Sequence, residues 1–399
     1  MLTELQLQRY ADILFWALKT ARKRKFTRND VVLIQYHLPA LPLAEILHAR
    51  VIKLGMHPVQ RLMPTTAMEK NFYQHSNSRQ LEFTPPGEEE LYQNLNGSIF
   101  LYAPGSITHL SDVDPRKVGK ATIAKKFLRD ILDKREGAGS FSWTLCVLPT
   151  EELARHAKLS IKDYKNQIVK ACFLNKKSPV AAWQHIYKKI TDIKKWLNSM
   201  KISRIHIESD NIDLVIIPGE KRKWIGLSGH NIPSFETFLS PDWRGTSGVY
   251  YADQPSFRSG NHVKGVRLEF RKGSIVSISA QKGEDFLKKQ LAMDSGANKV
   301  GEFSLTDRRF SKINAFMANT LYDENHGGQY GNCHIALGSS YADTYNGDPA
   351  ELTNALKKKL GFNDSALHWD LVNTERKRVN AHLTSGEKVT IYENGRFRF

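Results

Sequence analysis

Cysteine is scarce in this chain. Only Cys146, Cys172 and Cys333 occur among 399 residues. They stand far apart, so neither a disulfide framework nor a zinc ribbon of paired cysteines is expected. A reducing cytoplasm is the simplest setting for them. Long apolar runs are missing too. No stretch approaches the roughly 18 residues of a membrane span, so no membrane partner is expected. The opening MLTELQLQRYADILFWALKT sets acidic and polar residues within its apolar pattern, which describes an amphipathic helix and not a secretory signal. Neither a GxGxxG nor a GKS/T loop follows any strand-like run, so a nucleotide-binding fold has no supporting motif. Zinc-finger and RNP-type motifs, internal repeats and low-complexity tracts are also absent.

Acidic residues are the minority charge. Lys and Arg number 58 against 41 Asp and Glu, a net charge of +17. The surplus is uneven, with 31 basic against 18 acidic residues over 1–200 and 27 against 23 over 201–399. Stretches such as ARKRKFTR (21–28) and YKKITDIKKW (187–196) carry it. A basic half can bind nucleic acid. Here, however, the lysines alternate with core-type residues as they do on solvated helix faces. Solubility, or attraction to acidic surfaces, is the plainer reading.

The remaining composition is that of a globular chain, with 41% hydrophobic and 25% charged residues, long enough for two or three domains. A helix over about 3–20 precedes an apolar strand, VVLIQYH (31–37). LAEILHARVIKLG (43–55) has helical spacing and stops at a glycine. PVQRLM (58–63), SIFLYAP (98–104) and FSWTLCVLP (141–149) read as further strands, with helical stretches over 115–135, 151–159 and 181–199. Strand–helix alternation predicts an α/β N-terminal domain with a mainly parallel sheet over residues 1–200. Beyond about 202 the pattern shifts to short alternating segments. KGVRLEFRKGSIVSISAQKG (264–283) reads as a hairpin turning at Lys272–Gly273. Residues 201–399 are therefore expected to form an α+β domain.

That second region concentrates residues able to bind metal. In NDSALHWD (363–370), His368 and Asp370 are two apart, so on a strand both side chains face one side of the sheet. An imidazole and a carboxylate aimed at a common point suit a divalent cation. HNIPSFETFLSPD (230–242) holds Glu236, VGEFSL (300–305) holds Glu302, and DENHGGQYGNCHIALGSSY (323–341) holds Glu324, His334 and Tyr341. Each has an ordinary alternative. Glu236 could be a helix-start carboxylate, Glu302 a solvent-facing strand end, His334 a core histidine and Tyr341 a packing residue.

Taken in order, NIPSFETF, GEFSL, DEN…CHIALGSSY and NDSALHWD resemble the metalloaminopeptidases of the aminopeptidase T and aminopeptidase S type, the thermophilic family. The resemblance implies a catalytic domain over 201–399, with Glu236, Glu302, His334, His368 and Asp370 as ligands of two divalent metal ions. Zinc is the first expectation, with cobalt, manganese or magnesium as substitutes. Glu302 would bridge the two ions. A shared water or hydroxide would attack peptides with a free N-terminus. Tyr341 would stabilise the oxyanion, and Glu324 would serve as general base or as a further ligand. The resemblance also implies a homodimer. Two other functions stay open on the sequence: a basic nucleic-acid-binding or other binding protein on a degenerate peptidase scaffold, and a metal-dependent dipeptidase.

Overall fold

The structure is a computed structural model that describes residues 1–348 and 351–399. The chain forms two compact units. The first holds Met1–His185 and Ser228–Ser234, and the second Ile186–Leu227 and Phe235–Phe399.

The first unit is built on a five-stranded parallel sheet. Its strands lie in the order His57–Leu62, Val31–Tyr36, Gly97–Tyr102, Ser142–Val147 and Asn231–Ile232. Parallel strands are covered on both faces and so read as continuous apolar runs; Val32, Leu33, Ile34, Ile99 and Leu101 are all buried. The helix Glu4–Thr20 starts at a capping box, in which Thr3 and Gln6 satisfy each other's backbone amides. Its buried Leu7, Tyr10, Ala11, Leu14 and Leu18 recur at helical spacing. Tyr10 Oη donates to the Val147 carbonyl at 3.1 Å and Ser142 Oγ donates to that of Leu18 at 2.8 Å, which fastens the helix to the sheet. The helix Leu41–Lys53 ends just before Gly55, whose φ of +75° suits glycine.

The region expected to be one helix over 115–135 is two, Pro115–Ala124 and Lys126–Gly137. Lys125, at ψ 3°, leaves the helical conformation between them. The chain also returns to the first sheet for Asn231–Ile232, where the His230 carbonyl accepts from Leu145 N at 2.8 Å and the His230 ring stacks on Trp143 at 4.5 Å. A two-residue strand has no periodicity to reveal it in the sequence.

The second unit has two principal antiparallel sheets. The larger has eight strands, ordered Ser274–Ser279, Val266–Arg271, Asp242–Ala252, Asp213–Ile217, Ile202–Glu208, Arg378–Leu383, Lys388–Glu393 and Arg396–Phe397. The expected hairpin turns at Lys272–Gly273, where φ values of +50° and +81° give the left-handed pair that a two-residue turn requires. The smaller sheet orders His368–Asn373, Asn332–Gly338, Val300–Thr306 and Glu236–Leu239. One hydrophobic cluster joins the two, with Ile205, Leu214, Leu268, Phe303, Leu305, Ile335, Leu337 and Leu371 among its members. Tyr250 Oη spans the layers and donates to the Leu371 carbonyl at 2.7 Å. Among the described residues no helix is long and apolar enough to cross a membrane.

Candidate metal centre

The four-stranded sheet has one apolar face and one polar face. Alternation places Phe303, Leu305, Ile335, Leu337, Trp369 and Leu371 toward the core. The intervening positions point the other way, and cross-strand register aligns them. Glu302, Ala336 and Asp370 form one row; Phe238, Ser304, His334 and Val372 form the next. His368 pairs with Gly338, and Glu236 pairs with Thr306. Every metal ligand expected from the sequence therefore lies on this sheet, on the same face. Ala336, between Glu302 and Asp370, leaves space where a larger side chain would fill the gap.

Two glycines make the sheet's edge possible. Gly301 is the extra residue of a β-bulge between Val300 and Glu302. A Cβ there would lie 2.3 Å from the Gly338 and Ser339 carbonyl oxygens. Gly338 has φ +102°, and its Cβ would meet the Leu367 carbonyl oxygen at 2.2 Å. The glycines of GEFSL and HIALG are thus fixed by backbone approach beside the cluster.

The side chains converge closely. His334 Nε2 lies 3.2 Å from Glu302 Oε1, 3.4 Å from Glu236 Oε2 and 3.8 Å from Asp370 Oδ1. His368 Nε2 lies 3.5 Å from Asp370 Oδ1 and 3.8 Å from Glu302 Oε2. His368 Nδ1 donates to the Ser339 carbonyl at 2.9 Å, which leaves the Nε2 lone pair facing the carboxylates. Ser304 Oγ donates to Glu236 Oε2 at 3.2 Å. Glu324, just past the helix Thr320–Asp323, is buried, and after burial itself the charges of Glu236, Asp370, Glu302 and Asp323 raise its pKa.

Burial governs the electrostatics. It pushes Glu236 up to about 8, with repulsion from Glu302 adding to it. Glu302 also rises to about 8 through burial, with His368 opposing the shift and Asp370 and Asp343 adding to it. Glu324 moves well above the usual carboxylate range through burial and its acidic neighbours. Burial pushes Asp370 up as well, but His368, His334 and Arg258 hold it below its ordinary value. Burial pulls His368 down, yet Asp370 and Glu302 raise it overall. The cluster holds more buried negative charge than its two imidazoles neutralise, a condition that a bound cation relieves.

The neighbours of the cluster hold it in place. Within DEN, Asp323 accepts from Met317 N at 2.7 Å and Asn319 N at 2.9 Å, and Asn325 Oδ1 accepts from Phe235 N, next to Glu236. The segment 326–331 closes as a compact turn, with Gly331 N donating to Gly327 O at 2.7 Å, and leads directly into the strand of His334. The Tyr341 ring lies 4.8 Å from that of His368 and 5.8 Å from that of Phe238.

Three neighbours were not evident from the sequence. Ser304 could have been found, since it shares a strand face with Glu302 two positions away. Asp343, two positions past Tyr341, adds to the charge on Glu302. Arg258 donates from Nη1 to the His368 carbonyl at 2.9 Å and lies near Asp370; nothing local in its sequence announces a contact so distant along the chain.

The donor set fits divalent metal. Glu236, Glu302 and His334 offer ligand atoms within 4.8 Å of one another. A histidine whose other ring nitrogen is bonded to a backbone carbonyl, as in His368, has the usual arrangement of a metal ligand. Comparison with known proteins agrees with this chemistry. The model of the thermophilic metalloprotease (M29) family matches residues 3–397. Aminopeptidase AmpS of Bacillus subtilis (strain 168) is 32% identical over 349 residues, covering 80% of each chain. Aminopeptidase T of Thermus aquaticus is 30% identical over 262 residues, which is 63% of this chain and 60% of that one. The structure of wild-type AmpT from Thermus thermophilus superposes with a TM-score of 0.81 over 98% of this chain and 99% of that chain, at 20% identity, a likeness of fold.

Proposed function

The chain belongs to the thermophilic metalloprotease (M29) family, and on that footing we propose that it is a two-metal aminopeptidase releasing N-terminal residues from peptides. The observation that carries the proposal is the convergence of Glu236, Glu302, His334, His368 and Asp370 on one face of one sheet. These five are the proposed ligands, and Glu302, with one oxygen toward His334 and the other toward His368, would be shared between two ions. Two divalent ions held there, zinc foremost, would supply Lewis acidity toward the scissile carbonyl and lower the pKa of water.

The chain's own groups do the rest. Glu324, buried beside the ligands, accepts the proton of the attacking water and returns it to the leaving amine. Tyr341, whose ring lies beside that of His368, would donate its hydroxyl to the oxyanion of the tetrahedral intermediate. An ion held by these ligands would offer a site for a free α-amine, which a substrate with a blocked end lacks. The catalytic region is assigned to residues from about 201 onward. A cytoplasmic homodimer completes the proposal, and a light-scattering mass of one chain at micromolar concentration would contradict the dimer.

The test pairs elemental analysis with a panel of chromogenic aminoacyl substrates. The proposal expects two metal ions per chain, hydrolysis abolished by a chelator and restored by zinc, cobalt or manganese, and N-acetylated substrates left intact. Undiminished hydrolysis after complete chelation, or equal cleavage of acetylated substrates, would rule it out.

A further inference from the structure

The second unit also carries an open surface groove of about 480 Å³ with a different chemical character. One wall is the C-terminal half of the helix Pro179–Ser199, and the other is the segment Lys223–Ile225. The walls are tied by a reciprocal pair of hydrogen bonds. Trp224 N donates to Asn198 Oδ1 at 2.7 Å, and Asn198 Nδ2 donates to the Trp224 carbonyl at 3.0 Å. The Trp224 ring packs edge-on against Phe303 at 6.1 Å, which anchors this wall to the core. The two walls are therefore held in place on either side of the groove.

Three lysines line it: Lys194, Lys195 and Lys223. None has a carboxylate partner among the described residues. Lys194 is held in place, its Nζ donating to the Gly226 carbonyl at 3.0 Å and lying 5.6 Å from the Tyr187 ring centroid. Burial and the nearby Lys223 both disfavour its charge. Lys194 is half-buried beside Lys223 while Lys195 is exposed, and like charges gathered there without counter-charge disfavour one another, which an anion bound between them relieves. The type of cation narrows the class of anion. Planar carboxylates are best matched by arginine forks, whereas lysine serves as a point charge for the tetrahedral phosphate group. No arginine lines this groove.

We infer that the groove formed by Lys194, Lys195 and Lys223 over Trp224 binds a multiply charged phosphate anion, either a free polyphosphate chain or the phosphate end of a small organic molecule. The inference is independent of the proposed peptidase chemistry. Isothermal titration of the metal-loaded, full-length protein with inorganic tripolyphosphate tests it. A single saturable site is expected, and the double variant K195E/K223E should weaken it by roughly tenfold or more per lysine, the worth of one charged hydrogen bond. The variant should keep wild-type hydrolytic activity in the absence of the anion.

Citrate at matched ionic strength should bind much more weakly. A nucleoside triphosphate separates the two sources: affinity equal to that of tripolyphosphate identifies the phosphate chain as the whole ligand, and tighter binding identifies an organic body that also rests in the groove. Protection of the three lysines from acetylation by tripolyphosphate, read by peptide mass spectrometry on the wild type, needs no variant and is expected at these positions. Unchanged affinity in the double variant, citrate binding as tight as tripolyphosphate, or no protection of the lysines would overturn the inference.

Discussion

The two faces of the four-stranded sheet come from the same strands and obey opposite rules. On one face Phe303, Ile335, Leu337, Trp369 and Leu371 pack into the core, and each fully buried side chain of this kind stabilises the fold by about 1.5–3 kcal/mol. On the other face Glu236, Glu302, His334, His368 and Asp370 occupy alternate positions, the first three buried and the last two half-buried, close to each other's charges. The first face explains why the sheet exists, and the second works against it unless a cation is bound. A substitution on the polar face should therefore damage chemistry more than folding, and one on the apolar face should do the reverse.

Tyr341→Phe should show the largest effect. The ring that packs on His368 and Phe238 is retained, while the hydroxyl that would meet the oxyanion is lost. A loss of about 100–1,000-fold in kcat is expected, with little change in KM, melting temperature or metal content. Near-wild-type kcat in the metal-loaded variant would remove Tyr341 from the mechanism and blur the distinction between the faces.

On the opposite face, Phe303→Ala deletes a fully buried ring one position from Glu302. Denaturant unfolding should show a loss of about 3–5 kcal/mol. The fraction that remains folded should keep most of its kcat. A variant that unfolds normally but loses catalysis would mean that the two faces are coupled more tightly than alternation suggests.

The smallest effect is on pH dependence. In chelated protein Glu236 and Glu302 hold protons up to about pH 8, against an ordinary value of 4.5. Below about pH 4.5 the folded and unfolded states are both protonated, and these groups make no difference. Between about 4.5 and 8 the folded state binds more protons, so stability falls as pH rises, on the order of 1 kcal/mol per pH unit. His368, raised in the fold, contributes with the same sign. Asp370, depressed in the fold, withdraws its stabilisation only below its ordinary value of 3.8. Melting temperatures of chelated protein should therefore decline from pH 5 to pH 8, and bound metal should flatten the decline.

On the polar face the pair His368 and Asp370, two apart on a strand, was legible from local spacing, whereas Glu236, Glu302 and His334 each had an ordinary alternative and stood out only through the resemblance of their ordered motifs to a family. The strand–helix alternation of the first unit and the hairpin at Lys272–Gly273 were legible from local pattern. What was not legible depends on long-range contact. Arg258 reaches His368 across the fold, Asn231–Ile232 joins a sheet whose other strands end by Val147, and the Lys194, Lys195 and Lys223 groove forms only when a helix and a distant segment meet. The break at Lys125 was missed because its neighbours keep helical spacing on either side.

Elemental analysis of purified wild type beside Glu302→Gln and His368→Ala tests the central claim most directly, because both residues are assigned to one metal centre. Two metal ions per chain are expected in the wild type. Metal affinity and activity should fall together in each variant by more than the roughly 10–100-fold that outer partners of a metal site command. Wild-type metal content in both variants, in folded protein, would contradict the account, because the polar face of the sheet would then not be where the metal is held.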